Sequence, residues 1–383
     1  MRVVVAMSGG VDSSVVAALL AEAGHEVIGI TLQLYDHGAA AGRAGACCAG
    51  RDIHDARRIA DRLGIAHYVI DAEARFARAV IADFAAGYAA GETPVPCVRC
   101  NQTVKFADLT QLARGFGAER LATGHYVRRV DGVSGPELHR ARDAQRDQSW
   151  FLFATTREQL GFCLFPLGEM TDKGAVRAEA ARLGLAVAAK PDSQDICFVP
   201  RGSYADVGGR LRPDALASGE IVDAAGTVVG RHDGIARFTV GQAKRLGQAG
   251  RGGAGDGRRV VVALEPERRR VVVGPRESGT KKVWLREVNW LVEPDEGGFS
   301  CAVKLRAREA PQPARVEQLG VGAVVRLDYP ALPAPGQACV FYDGDRVLGG
   351  GFIRRAPPEA AAVDAGSNPA VSRTLSDGGV AQR

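Results

Sequence analysis

Met7-Ser8-Gly9-Gly10-Val11-Asp12-Ser13-Ser14 follows the apolar run Val3-Val4-Val5-Ala6 and leads into an Ala/Leu/Val-rich segment that ends near Ala23. A short β-branched run predicts a buried strand, and the segment after it predicts a helix. A glycine loop between a strand and a helix start aims unpaired backbone N–H groups and the positive end of the helix at one point, where a phosphate or pyrophosphate can sit. The two glycines let the backbone approach an anion without a Cβ in the way. Ser8, Ser13 and Ser14 add hydroxyl donors. Asp12 is the unusual member: a carboxylate beside a phosphate site suggests a Mg²⁺ ligand or a strand-end anchor.

From Met1 to about Val199 predicted strands and helices alternate. Strands are expected over 25–34, 66–70 and 120–123, and helices over 51–63, 73–90 and 104–116. Alternation of this kind predicts a parallel sheet with helices on both faces. Ligands then bind beyond the C-terminal strand ends, where Ser8–Ser13, Leu32 and Gly124-His125-Tyr126 converge. After about Ser203 the texture changes to Gly, Arg and Val with short strands and turns. We expect an α/β unit over 1–203, a small β-rich connecting domain over 204–278, a C-terminal β-barrel over 279–355 and a disordered tail over 356–383.

The 383 residues carry a net charge of +5, too mild to identify a nucleic-acid partner unaided. Only seven of the 49 basic residues are Lys. No apolar run approaches a membrane span. The chain enters its first strand at Arg2, without the charged and apolar regions of a signal peptide. A cytoplasmic monomer is expected. Eight cysteines in such a chain point to metal, redox or catalytic use where they cluster.

They cluster in two places. Thr93-Pro94-Val95-Pro96-Cys97-Val98-Arg99-Cys100-Asn101 places Cys100 just before the helix predicted from Val104 and beside Arg99, a setting that lowers a thiol pKa. Lys190-Pro191-Asp192-Ser193-Gln194-Asp195-Ile196-Cys197-Phe198 leads a polar turn into an apolar-flanked Cys197. A structural zinc would need Cys97 and Cys100 joined by the vicinal pair Cys47-Cys48, whose spacing suits tetrahedral zinc poorly. A persulfide relay between Cys197 and a second thiol is the alternative.

The loop is neither a Walker motif nor a G-x-G-x-x-G fingerprint; it resembles the PP-loop of the ATP pyrophosphatases. With both cysteine segments, Ala122-Thr123-Gly124-His125-Tyr126, Asp147-Gln148-Ser149, Phe238-Thr239-Val240-Gly241-Gln242 and Pro335-Gly336-Gln337-Ala338-Cys339-Val340-Phe341-Tyr342, the chain from Arg2 to about Ile353 resembles the bacterial tRNA-specific 2-thiouridylases. That resemblance implies an α/β Rossmann-like PP-loop domain that carries catalysis, and ATP-dependent 2-thiolation of the wobble uridine of tRNA. It implies ATP contacts from Ala6, Met7, Ser8, Gly9, Gly10, Val11, Asp12 and Ser13, with Leu32 and Gly124 at the adenine and ribose side. Cys100 is the implied nucleophile and Cys197 the implied persulfide carrier, the two closing a disulfide during turnover. His125, Arg146, Asp147, Gln148, Gln337 and Arg306 are the implied tRNA contacts. Arg146 stands where the family pattern has Lys. A family Arg-Tyr-Arg element is here Arg306-Ala307-Arg308, without the aromatic.

The implied partners are the tRNA anticodon region and a persulfide sulfur donor, such as a cysteine desulfurase or a sulfur-relay protein. The implied cofactors are ATP and Mg²⁺. Cys97 stands where some relatives have Asp, so Cys97, Cys100 and Cys197 could also supply three thiolates to an iron–sulfur cluster. The rival functions are another PP-loop enzyme that uses an amine nucleophile and a sulfur-carrier module without catalysis.

Overall fold

Val3, Val4 and Val5 form the centre of β1 (Arg2–Ala6) and are completely buried. Side chains alternate across a strand. Val3 and Val5 accordingly pack with α1 (Val11–Glu22), and Val4 packs on the opposite face. A strand buried on both faces belongs in the middle of a parallel sheet. The order is β3–β2–β1–β4–β7, every pair parallel, with β2 (Glu26–Gln33), β3 (Ala66–Asp71), β4 (Arg120–Ala122) and β7 (Cys163–Leu164). Strand order reverses between β1 and β4, so a cleft opens at their C-terminal ends. This computed structural model describes residues 1–35, 48–192, 196–199, 209, 212–251 and 257–355. The expected tail, Cys47 and Ser193–Asp195 lie outside the described residues.

Helices from three parts of the chain border the cleft. α1 follows the glycine loop, and α2 (Cys48–Leu63) packs against β2 and β3. The helix expected from Val104 instead starts at Pro96. It runs through Pro96–Cys100, a π-helical stretch Asn101–Asp108 and Leu109–Gly115 without a break. Pro94 and Pro96 have different effects. The first keeps the chain extended, while the second occupies the first helical position, where its missing N–H costs nothing.

The alternation contains an element that the sequence pattern did not reveal. β5 (Val127–Gly132) and β6 (Gly135–Arg140) form an antiparallel hairpin that leaves the α/β sheet. The hairpin joins the C-terminal sheet through His139 and Arg346. The middle of the chain forms a four-stranded sheet in the order β10–β11–β8–β9, from β8 (Gly219–Val222), β9 (Val228–His232), β10 (Val260–Glu265) and β11 (Arg270–Gly274).

The expected C-terminal barrel is present. Six strands, β12 (Thr280–Trp290), β13 (Phe299–Lys304), β14 (Gln312–Leu319), β15 (Gly322–Ala331), β16 (Ala338–Asp343) and β17 (Arg346–Arg354), close through β12–β17 pairing. One apolar cluster runs from Val4 and Leu121 of the parallel sheet through Val127, Leu138 and Trp150 to Val340, Tyr342 and Phe352 of the barrel. The α/β unit and the barrel therefore share a core.

Candidate active site

The glycine loop is built by two close approaches. Gly9 has φ +71°, and a Cβ there would lie 2.0 Å from the Asp52 carbonyl oxygen of α2. At Gly124, just after β4, a Cβ would lie 3.0 Å from the Ser13 nitrogen. Only glycine lets the loop fit between α2 and the end of β4. Ser13 Oγ accepts from the Ser8 N–H at 3.1 Å, and Ser14 Oγ donates to the Gly10 carbonyl at 2.7 Å. Val11, Asp12 and Ser13, whose N–H groups have no acceptor one turn back, line the cleft.

The cleft has a volume of about 510 Å³. Of the expected nucleotide contacts, Ala6, Met7, Ser8, Gly10, Val11, Asp12, Ser13, Leu32 and Gly124 line it. Gly9 sits behind the loop, where its carbonyl accepts from Lys190 Nζ at 2.8 Å. Lys190 also bonds Asp52 and Asp55, each at 2.7 Å, which ties the loop to α2. Asp12 is held on two sides. Lys173 Nζ is 2.7 and 2.8 Å from its two oxygens, and the Tyr126 hydroxyl donates to it at 2.6 Å. Burial and then this bond push the Tyr126 pKa far up, so the phenol stays a donor. Asp192 accepts from Lys173 and from Arg146, both at 2.8 Å. Burial works against its charge, but these two cations hold its carboxyl below the usual range.

The expected tRNA contacts fall into two groups. His125, Arg146 and Gln148 line the cleft. His125 Nδ1 is 2.8 Å from the Thr123 hydroxyl, and burial, with Lys105 nearby, holds its pKa well below the usual value. Both effects disfavour the charged imidazole. Gln148 Oε1 accepts from the Tyr126 N–H at 2.9 Å and so fixes the turn after β4. Asp147, Gln337 and Arg306 do not line the cleft. Asp147 accepts from the Ser149 N–H and hydroxyl and from Ala141 N–H. Gln337 Nε2 donates to the Thr93 carbonyl at 2.8 Å, docking the barrel on the strap that leads to Cys97. Arg306 donates to the Val240 and Leu332 carbonyls and so joins the barrel to the middle domain.

Cys197 lines the cleft. Cys100 lies behind its wall, 6% exposed, packed with Phe76, Phe84, Val104 and Phe198. The expected lowering of the Cys100 pKa is reversed: burial raises it. The helix that starts at Pro96 carries Cys100 into this apolar cluster. Arg99 points elsewhere, to Glu287 of β12 and Asp83. Cys97 and Cys197 keep accessible surface, but the protein packed around both raises their pKa values, Cys197 to about 12. All three are free thiols, so no Cys100–Cys197 disulfide is present. Among the described residues no three His, Cys, Asp or Glu side chains group as a metal site. The alternative of an iron–sulfur cluster on Cys97, Cys100 and Cys197 is thus not supported among the described residues.

Lys105 and Lys173 were not anticipated from the sequence, and Tyr126, expected at the cleft, was not anticipated as a donor to Asp12. A signal was available: in a chain that uses Arg throughout, three of seven lysines (Lys105, Lys173 and Lys190) line the cleft or bond its residues.

Three family models match in succession: a tRNA methyl transferase HUP domain over residues 1–201, a tRNA methyl transferase PRC-barrel domain over 212–275 and an aminomethyltransferase beta-barrel domain over 280–353. Curated relatives match over nearly the whole chain. The tRNA-specific 2-thiouridylase MnmA of Acidiphilium cryptum is 68% identical, covering 92% of this chain and all of that protein. The proteins of the same name from Gluconobacter oxydans and Rhodospirillum centenum are 61% and 59% identical, covering 92% and 95% of this chain and 99% and 94% of their own lengths.

Proposed function

This chain belongs to the tRNA-specific 2-thiouridylase family, and from that membership we propose that it replaces the C2 oxygen of the wobble uridine of tRNA with sulfur in an ATP-dependent reaction. It is a tRNA sulfurtransferase with a PP-loop nucleotide site. The family models carry a methyl-transfer description. Thiolation is favoured by one observation: Cys197 lines the same cleft as the glycine loop, and Cys100 packs against the neighbouring Phe198.

In our reading the nucleotide phosphates lie on Ser8–Ser13 and the uridine is flipped into the cleft, because its C2 oxygen is not accessible while stacked. That oxygen attacks the α-phosphate and releases pyrophosphate. The N–H groups that open α1 stabilise the leaving charge. Asp12, whose oxygens are here bonded to Lys173 and Tyr126, is the carboxylate that would hold Mg²⁺. Bound Mg²⁺ would neutralise charge on the pyrophosphate.

The terminal sulfur of a Cys197 persulfide attacks C2, and AMP leaves with the C–O bond. The Cys100 thiolate next attacks the Cys197 sulfur. The S–S electrons pass to the sulfur on C2, leaving 2-thiouridine and a Cys100–Cys197 disulfide. An external persulfide donor recharges Cys197 after an external reductant opens the disulfide. His125, Arg146 and Gln148 meet the anticodon at the cleft mouth. Asp147, Gln337 and Arg306 act on tRNA through the turns and domain joints they hold.

The test is a reconstituted reaction with Mg-ATP, a persulfide source and unmodified tRNA, read as 2-thiouridine by mass spectrometry after digestion. Cysteine-dependent product supports the reading. AMP formed without thiolated base, or full activity in Cys100→Ser, overturns it.

A further inference from the structure

The thiols that the proposed reaction uses are poorly prepared for it. Burial keeps Cys100 and Cys197 protonated, yet one must attack and the other must carry a sulfur anion. A cation must offset that burial. Arg99, the nearest in sequence, is committed to Glu287, Asp83 and Gln102. Lys173, Lys190 and Arg146 are each paired with carboxylates. Lys105 has no ion-pair or hydrogen-bond partner among the described residues, and it lines the cleft together with Cys197 and His125.

Local backbone geometry explains how Lys105 reaches this position. Asn101–Asp108 is π-helical, with the Leu109 N–H donating to the Val104 carbonyl five residues back. Bonds of this spacing bring residues five apart onto one face of the helix, whereas an α-helix turns them away from each other. Cys100 and Lys105 are five apart at the start of that stretch. π-Helical turns recur at functional sites. Lys105 lowers the pKa of Cys97, Cys100 and Cys197 alike, and it opposes charge on His125.

We propose that Lys105, five residues after Cys100 at the start of the π-helical stretch and lining the cleft with Cys197, is the cation that stabilises the sulfur anions of both cysteines during sulfur transfer. This rests on the thiolation reading and assigns a residue to a step within it. Lys105 acts here as a charge-stabilising residue, distinct from the phosphate-binding loop.

The test is the rate of iodoacetamide alkylation at pH 8 in the full chain, without ATP or tRNA, resolved for each cysteine by peptide mass spectrometry. Lys105→Gln and Lys105→Met should each slow alkylation of Cys197, the thiol that lines the cleft, at least threefold, while Cys301 in the barrel reacts at the wild-type rate. Lys105→Arg should restore the rates to within twofold. ATP affinity, measured separately, should change less than twofold. Unchanged alkylation in the Gln and Met variants overturns the proposal, as does equal slowing at Cys301. Weaker ATP binding with unchanged alkylation also overturns it and makes Lys105 a phosphate ligand. The alkylation readout needs no turnover, so its failure leaves the thiolation reading standing, and loss of thiolation elsewhere leaves Lys105 untouched.

Discussion

Lys173 Nζ bridges to both oxygens of Asp12, at 2.7 and 2.8 Å, from a helix that begins 161 residues later in the chain. The same ammonium also reaches Asp192. Removing it leaves two partly buried carboxylates side by side. Lys173→Met should lower unfolding stability by about 1–3 kcal/mol, less than a fully buried pair because Asp12 keeps some solvent. AMP formation should fall at least tenfold. Urea unfolding and an AMP assay check the two halves.

Gly9 tests the loop itself. Gly9→Ala places a methyl group against the Asp52 carbonyl at a backbone angle that L-residues rarely adopt. ATP affinity should fall by more than an order of magnitude, measured by calorimetry. Gly24→Ala is the control: its φ is +78°, but nothing lies within 4 Å. It should cost some stability, about 1 kcal/mol, and leave ATP binding intact.

Arg99 couples the cysteine helix to the barrel. It makes two bonds to Glu287, at 2.6 and 3.2 Å, and stacks 4.7 Å from the centre of the Phe352 ring. Arg99→Lys keeps the charge but loses both the fork and the stacking. Thiolation should drop several-fold with ATP affinity unchanged, as measured by product formation beside nucleotide titration.

The same pair gives a pH dependence. The Arg99 hydrogen bond holds the Glu287 pKa below its usual 4.5, although burial opposes this. A depressed carboxylate contributes stability that is fully present above its unfolded value and lost as pH falls through the folded one. The melting temperature of wild type should therefore fall between pH 5 and about pH 3 more than that of Glu287→Gln. Parallel thermal melts across that window decide it.

Asp147 should show its structural role directly. Asp147→Ala removes acceptors from the Ser149 N–H and hydroxyl at the start of a helical turn. Loss of these hydrogen bonds should cost about 1 kcal/mol. Weaker tRNA binding should then accompany the lower stability, and restoring stability with an osmolyte should recover part of it.

The glycine loop was legible because its parts are consecutive: Val3–Ala6, the glycines and α1 follow one another along the chain. The parallel sheet and the barrel were legible from alternation and short β-branched runs. The hairpin β5–β6 was missed because Val127–Arg140 is polar and short, and its partner strand lies some 200 residues later. The Cys100 environment was read with the wrong sign. Sequence neighbours suggested Arg99 as the activating cation, but the helix starting at Pro96 sends Arg99 to the barrel and buries Cys100. Lys105 and Lys173 act through a π-helical register and a tertiary contact, neither of which leaves a local pattern.

The shared core also bears on how the chain is made. Trp150, Leu138 and Val127 share one buried cluster with Val340, Tyr342 and Phe352. At a synthesis rate of about 5–20 residues per second, roughly 10–40 s separate the emergence of these two halves from the ribosome. Throughout that interval the nucleotide-binding half presents an uncovered apolar face. The nascent chain must be shielded until its C-terminal strands arrive, so a premature stop before β16 would produce a chaperone client rather than a smaller enzyme.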